Sequence, residues 1–81
     1  MRIEVRAFAG LRELLEGSER SLELMEGARV RDAWAVLVKA HPGLDEASGS
    51  TRVARNGRLT ALDEPLADGD ELALLPPVGG G

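Results

Sequence analysis

Val30-Arg31-Asp32-Ala33-Trp34-Ala35-Val36-Leu37-Val38 is the stretch that decides the fold. Val30, Ala33, Trp34, Leu37 and Val38 recur at i, i+3, i+4, i+7 and i+8, one apolar stripe of a helix about three turns long. Arg31, Asp32 and Lys39 fall on the water-facing side. The His41-Pro42-Gly43 run ends the segment, because proline lacks the N–H a helix needs and restricts the residue before it. On both sides of this stretch the apolar period drops to that of extended chain. The helix therefore divides two groups of strands.

On the N-terminal side, Met1 to Ala9 reads as a strand. Ile3, Val5, Ala7 and Ala9 alternate with Arg2, Glu4, Arg6 and Phe8, as expected for a sheet with one buried face. Phe8 interrupts the polar face. Gly10 is the expected turn, and Leu11, Leu14 and Leu15 then lie on one side of a short helix, with Gly17 as its C′ residue. Ser21 to Met25 alternates again, with Leu22 and Leu24 facing one way, and can pair antiparallel with the first strand. Gly27 ends it.

On the C-terminal side, residues 43–50 are polar and contain Gly and Ser, which predicts a loop. Thr51 to Arg55 and Leu59 to Leu62 flank Asn56-Gly57, a pair that accepts the positive φ angles of a tight hairpin. Pro65-Leu66 lies in an irregular crossing, Asp68-Gly69-Asp70 predicts a turn, and Glu71 to Leu75 is the last strand. Pro76-Pro77 cannot extend a central strand, since neither residue donates to the ladder. The predicted class is α+β: a mixed sheet of about five strands with one main helix packed on one face. Residues 1–77 form the domain and residues 78–81, Val78-Gly79-Gly80-Gly81, form a Gly-rich tail.

Composition narrows the function. The 81 residues suffice for one domain, and Phe8 and Trp34 are the only aromatics, so the core must be aliphatic. A net charge of −4 argues against a nucleic-acid partner, whose footprint is basic. There is no cysteine, so any sulfur chemistry must use sulfur from outside. No long apolar run or signal-peptide core is present, which points to a cytoplasmic protein with no membrane partner. Arginine outnumbers lysine nine to one and Asn56 is the only asparagine. A thermophilic source and a GC-rich genome both explain that bias.

The residues in order resemble the small subunit of molybdopterin synthase, a ubiquitin-like sulfur carrier of β-grasp fold. The resemblance rests on Phe8-Ala9 followed by Leu11-Arg12-Glu13-Leu14. It rests further on Asn56, Leu59, Pro65-Leu66, Asp68-Gly69-Asp70-Glu71, Pro76-Pro77-Val78 and Gly80-Gly81. It implies that the carboxylate of Gly81 is the working group. A ubiquitin-activating-like adenylyltransferase would consume ATP to activate it, and a sulfur donor would leave a thiocarboxylate. The large subunit would supply the catalytic groups and receive the sulfur, so the chain is expected to be a co-substrate, not an enzyme by itself. It would bind no metal or cofactor. Phe8, Leu59 and Leu75 would form an apolar docking patch, with Leu75 standing where an aromatic is frequent. Pro76, Pro77, Val78 and Gly79 would carry the tail into the partner, and Gly80 would keep it slim beside the reacting carbonyl. Delivery to thiazole or tRNA, attachment to other proteins as a modifier, and a plain binding module are the alternatives.

The remaining candidates have plainer readings. His41 suits a helix C-terminus. Asp68 and Asp70 around one glycine suit a turn, since a calcium loop needs more oxygen ligands. Trp34 suits the core. Arg52, Arg55 and Arg58 suit a solvated edge, or else a surface that meets an acidic partner.

Overall fold

Strand β1 (Arg2–Ala7) buries Ile3, Val5 and Ala7 and exposes Arg2, Glu4 and Arg6. In the computed structural model, which describes residues 1–76, this alternation opens the chain as its sequence predicts. A short helix α1 (Gly10–Leu14) follows, then β2 (Glu19–Glu23), which pairs antiparallel with β1. Helix α2 (Val30–Ala40) comes next, then a 3₁₀ helix (Pro42–Ala47), β3 (Arg52–Arg55), β4 (Arg58–Thr60) and β5 (Glu71–Leu75). The sheet order is β2-β1-β5-β3-β4. Among the described residues only β1 and β5 pair in parallel, and the other strand pairs are antiparallel.

Helix α2 packs on one face of this mixed sheet. Its Val30, Ala33 and Leu37 join Ile3, Val5, Leu72 and Leu74 in one core, with Trp34 and Val38 partly buried against it. The core is aliphatic throughout, as the scarcity of aromatics requires. The first turn of α2 is capped from two directions. The Asp32 carboxylate accepts the Arg29 N–H at 2.7 Å, and carbonyls of the crossing segment, Glu64 and Leu62, accept the N–H groups of Val30 and Arg31 at 3.0 and 2.8 Å. These are donors that a helix start would otherwise leave unpaired. Among the described residues no helix is long and apolar enough to cross a membrane.

Several local expectations need correction. Residues 43–50 are not a structureless loop. Pro42 sits at the start of the 3₁₀ helix, and its Leu44 is completely buried. A single leucine among polar residues has no period, so the sequence gives no sign of this. The turn after β1 is made by Ala9 at φ 52°, not by Gly10, and Ala9 is exposed instead of facing the core. Leu14 is likewise exposed, leaving Leu11 and Leu15 as the buried side of α1. The strand after Asn56-Gly57 is shorter than predicted and stops at Thr60, with Leu62 exposed. The hairpin turn itself is as predicted, with φ of 49° at Asn56 and 86° at Gly57.

The end of α1 differs by one residue. Glu16, at φ 59°, takes the left-handed position expected of Gly17. Its N–H donates to the Glu13 carbonyl at 3.1 Å, and the Gly17 N–H to the Arg12 carbonyl at 3.0 Å, the paired bonds of a Schellman termination. A glutamate is strained there because its Cβ crowds the backbone. Glu16→Gly is therefore expected to raise stability by about 0.5–1 kcal/mol, read as a higher melting temperature. An unchanged or lower value would contradict the strain.

Candidate docking face and tail root

The site is built on the sheet face that α2 does not cover. Along β5, Leu72 and Leu74 point into the core, so Glu71, Ala73 and Leu75 occupy the open face. Register places β3 and β4 on the same scheme. Ala54 lies opposite both Ala73 and Leu59, and Arg52 lies opposite Leu75. Ala73 in turn lies opposite Arg6 of β1. Phe8 follows β1 on its outward-facing side and stays tied to the sheet, its N–H donating to the Leu74 carbonyl at 3.3 Å.

Phe8, Leu59 and Leu75 thus share one open face. Phe8 is 45% and Leu59 62% exposed, large apolar surfaces for so small a protein, while Leu75 is half-buried. The sequence alone supported only Phe8, because β-strand register across a hairpin is needed to bring Leu59 round to the same side. Ala54 and Ala73 form the floor between them. Their part was missed because alanine in a strand shows no periodic contrast with neighbours.

The aim of Phe8 is set by backbone. Phe8-Ala9-Gly10-Leu11 forms a tight turn in which the Leu11 N–H donates to the Phe8 carbonyl at 3.2 Å. Ala9, at φ 52° and ψ −131°, holds the position that glycine normally takes in a type II′ turn.

Pro76 closes the described chain. It borders an apolar hollow of about 230 Å³, lined also by Leu11, Leu14 and Ala47. The described chain therefore stops at the end of the sheet that carries Phe8 and Leu75. Pro77, Val78, Gly79, Gly80 and Gly81 lie outside the described residues.

The opposite end of the open face is charged and internally matched. Arg2 meets Glu4 at 3.1 Å, and Arg6 meets Glu71 at 3.1 Å. The Ser21 hydroxyl, followed by Arg2, holds the Glu4 carboxyl below its ordinary pKa.

A second polar cluster locks the hairpin to β5. Asp70 is only 6% exposed. Its Oδ2 accepts Arg55 Nε and the Ala67 N–H, both at 2.7 Å, and its Oδ1 accepts Asn56 Nδ2 at 2.8 Å. Asn56 also exchanges bonds with the Glu71 backbone at 2.9 Å in both directions. Arg55 further meets Glu64 at 3.1 Å. Arg55 is therefore an internal partner, a correction to its reading as solvated edge, whereas Arg52 and Arg58 are exposed. Asp68 accepts the Arg2 N–H at 2.7 Å, so both aspartates serve the turn. Among the described residues no group of three or more acidic or histidine side chains could hold a metal.

His41 caps α2, its side chain largely buried and its Nδ1 3.6 Å from Glu16. Trp34 packs against the core at the rim of a hollow of about 250 Å³ shared with Val53 and Leu62.

This architecture, a mixed five-stranded sheet grasping one main helix, defines a small ubiquitin-like β-grasp protein. The sequence model of the ThiS family matches residues 5–81, and the chain belongs to that family. It is 39% identical to the molybdopterin synthase sulfur carrier subunit of Chlamydomonas reinhardtii, with the whole of both chains covered. It is 40% identical to small archaeal modifier protein 1 of Haloferax volcanii, over 98% of this chain and all of that one. The crystal structure of SAMP1 from that organism matches with a TM-score of 0.90 at 38% identity, over 100% of both chains. A protein–protein complex of subunits 1 and 2 of the molybdopterin-converting factor from Helicobacter pylori contains a chain that matches with a TM-score of 0.73 at 32% identity, covering all of both chains.

The Asp70 cluster gives a testable expectation. Burial pushes the Asp70 carboxyl up, but the bonds from Arg55, Ala67 and Asn56 outweigh it and leave the pKa below the ordinary value. A depressed folded-state pKa stabilises at neutral pH and loses that contribution as pH falls through it. Asp70→Ala is expected to cost about 2–3 kcal/mol at pH 7, and to flatten the acid limb of stability against pH. Equal acid limbs in the two proteins would remove Asp70 as the cause.

Proposed function

We propose that this chain is the sulfur-carrier subunit of a molybdopterin synthase and works through the carboxylate of Gly81. The observation that carries the reading is the coincidence of the exposed Phe8–Leu59–Leu75 face with the root of the tail at Pro76, in a chain that aligns end to end with a sulfur carrier subunit.

A carboxylate is anionic and resonance-stabilised, hence a poor electrophile. An activating enzyme removes that obstacle by joining the Gly81 carboxylate oxygen to the α-phosphorus of ATP, releasing pyrophosphate. A hydrosulfide equivalent released by a donor then attacks the carbonyl carbon, the bond to the AMP oxygen breaks and AMP leaves, and loss of the thiol proton gives a thiocarboxylate. The large synthase subunit would accept the tail, supply the acid–base groups and pass the sulfur to a pterin precursor. The tail must enter two partner sites, and glycines at positions 80 and 81 suit a narrow channel because they place no side chain beside the carbonyl under attack. Pro76-Pro77 would aim the tail away from the sheet. The docking patch supplies affinity, leaving the tail free to carry chemistry.

A second reading follows from the Haloferax relative, whose name is that of a protein modifier. The activation would be the same, with a lysine amine in place of sulfur as the attacking group. Sulfur delivery to thiazole or tRNA would likewise change only the acceptor.

Intact mass after incubation with the organism's activating enzyme, ATP and a sulfur donor tests the proposal. The expected result is one oxygen replaced by sulfur at Gly81, abolished by adding one residue after it. No shift, with activator and donor active on another carrier, would sink the proposal. Phe8→Ala is expected to weaken binding to the large subunit by about 1–3 kcal/mol. Unchanged affinity would remove Phe8 from the docking face.

A further inference from the structure

The open face has two electrostatic halves. In the charged half the arginines are consumed within the chain, Arg2 by Glu4 and Arg6 by Glu71. In the apolar half stands Arg52, exposed, in register with Leu75 and on the same side of the sheet as Ala73 and Leu59. Among the described residues it forms no ion pair.

The surroundings make this cation conspicuous. The chain holds 14 acidic residues, yet none falls between Ala47 and Leu62, where the sequence carries Arg52, Arg55 and Arg58. Asp70 and Glu64 take Arg55 on the other side of the sheet. Arg58, opposite Arg55 in the hairpin, alternates to that same far side. Arg52 is therefore the charge of this hairpin that faces whatever covers Phe8, Leu59 and Leu75.

Resting on the docking face proposed above, we infer that Arg52 determines which partner fits. The large synthase subunit would present an apolar surface with a carboxylate placed to meet Arg52 beside Leu75. A guanidinium carried into an interface loses water, and a carboxylate partner offsets that loss with paired hydrogen bonds of matching geometry. The chain as a whole is acidic, so an acidic partner edge would be repelled elsewhere on its surface and drawn to this half of the sheet. Arg52 thus sets orientation as well as affinity.

The test compares binding of the wild-type chain, Arg52→Ala, Arg52→Glu and Arg58→Glu to the large subunit encoded in the same genome. The expected result is a loss of about tenfold or more for Arg52→Glu at low salt, a smaller loss for Arg52→Ala, and a gap that narrows near roughly 0.5 M salt. Arg58→Glu changes net charge equally on the other side of the sheet and is expected to stay within about twofold of wild type. Wild-type affinity in Arg52→Glu, or equal losses in Arg52→Glu and Arg58→Glu, would overturn the inference while leaving the docking face intact. Absence of binding by the wild-type chain would overturn both. Arg52 is exposed, so matching melting temperatures for the variants would show that the fold is unaltered.

Discussion

The first and last strands lie side by side and parallel at the middle of the sheet, with Glu4 beside Glu71 and Ala7 beside Leu74. Parallel neighbours cannot be joined by a tight turn, so the chain must travel across the core before it returns. Helix α2 lies on that passage and covers the sheet as it crosses. Because the two central strands point the same way, Phe8 and Leu75 emerge at the same end. Strand direction brings the candidate docking residues and the root of the tail together, and the Phe8 N–H to Leu74 carbonyl bond ties the two strand ends.

Holding β5 in place requires more than the ladder. The Asp70 carboxylate sits at the turn into β5 and accepts bonds from the hairpin and from the Ala67 backbone. Asn56 therefore has two uses: it accepts the positive φ of the hairpin turn, and it ties that turn to β5. The strand that Asn56 and Asp70 position is the one that carries Leu75 outward and leads to Pro76.

Much of this was legible from residue order. The change of period at Val30, the Asn56-Gly57 hairpin and the Pro76 break together specify the class, because each follows from local stereochemistry. Positions set by tertiary context were not legible. Leu44 is buried by the 3₁₀ turn after α2, Glu16 takes a left-handed angle beside an available glycine, and Arg55 is drawn inward by an aspartate fifteen residues away. Phe8 could be singled out because an aromatic on a polar face is a local anomaly. Leu59 stands out only through the family resemblance, and Arg52 suits a solvated edge and an acidic partner equally well, since only strand register tells which side of a hairpin they occupy.

The central place of β5 bears on quality control in the cell. Leu72 and Leu74 are inner members of the core, and β5 joins the β1–β2 pair to the β3–β4 pair. A chain whose synthesis stops before Glu71 has two separate hairpin units, an unfilled core and exposed strand edges. Such a product is prey for proteases before it can compete for a partner. The segment that completes the core immediately precedes the segment that would do the chemistry, so a copy that survives folding is one in which translation has already reached the root of the tail.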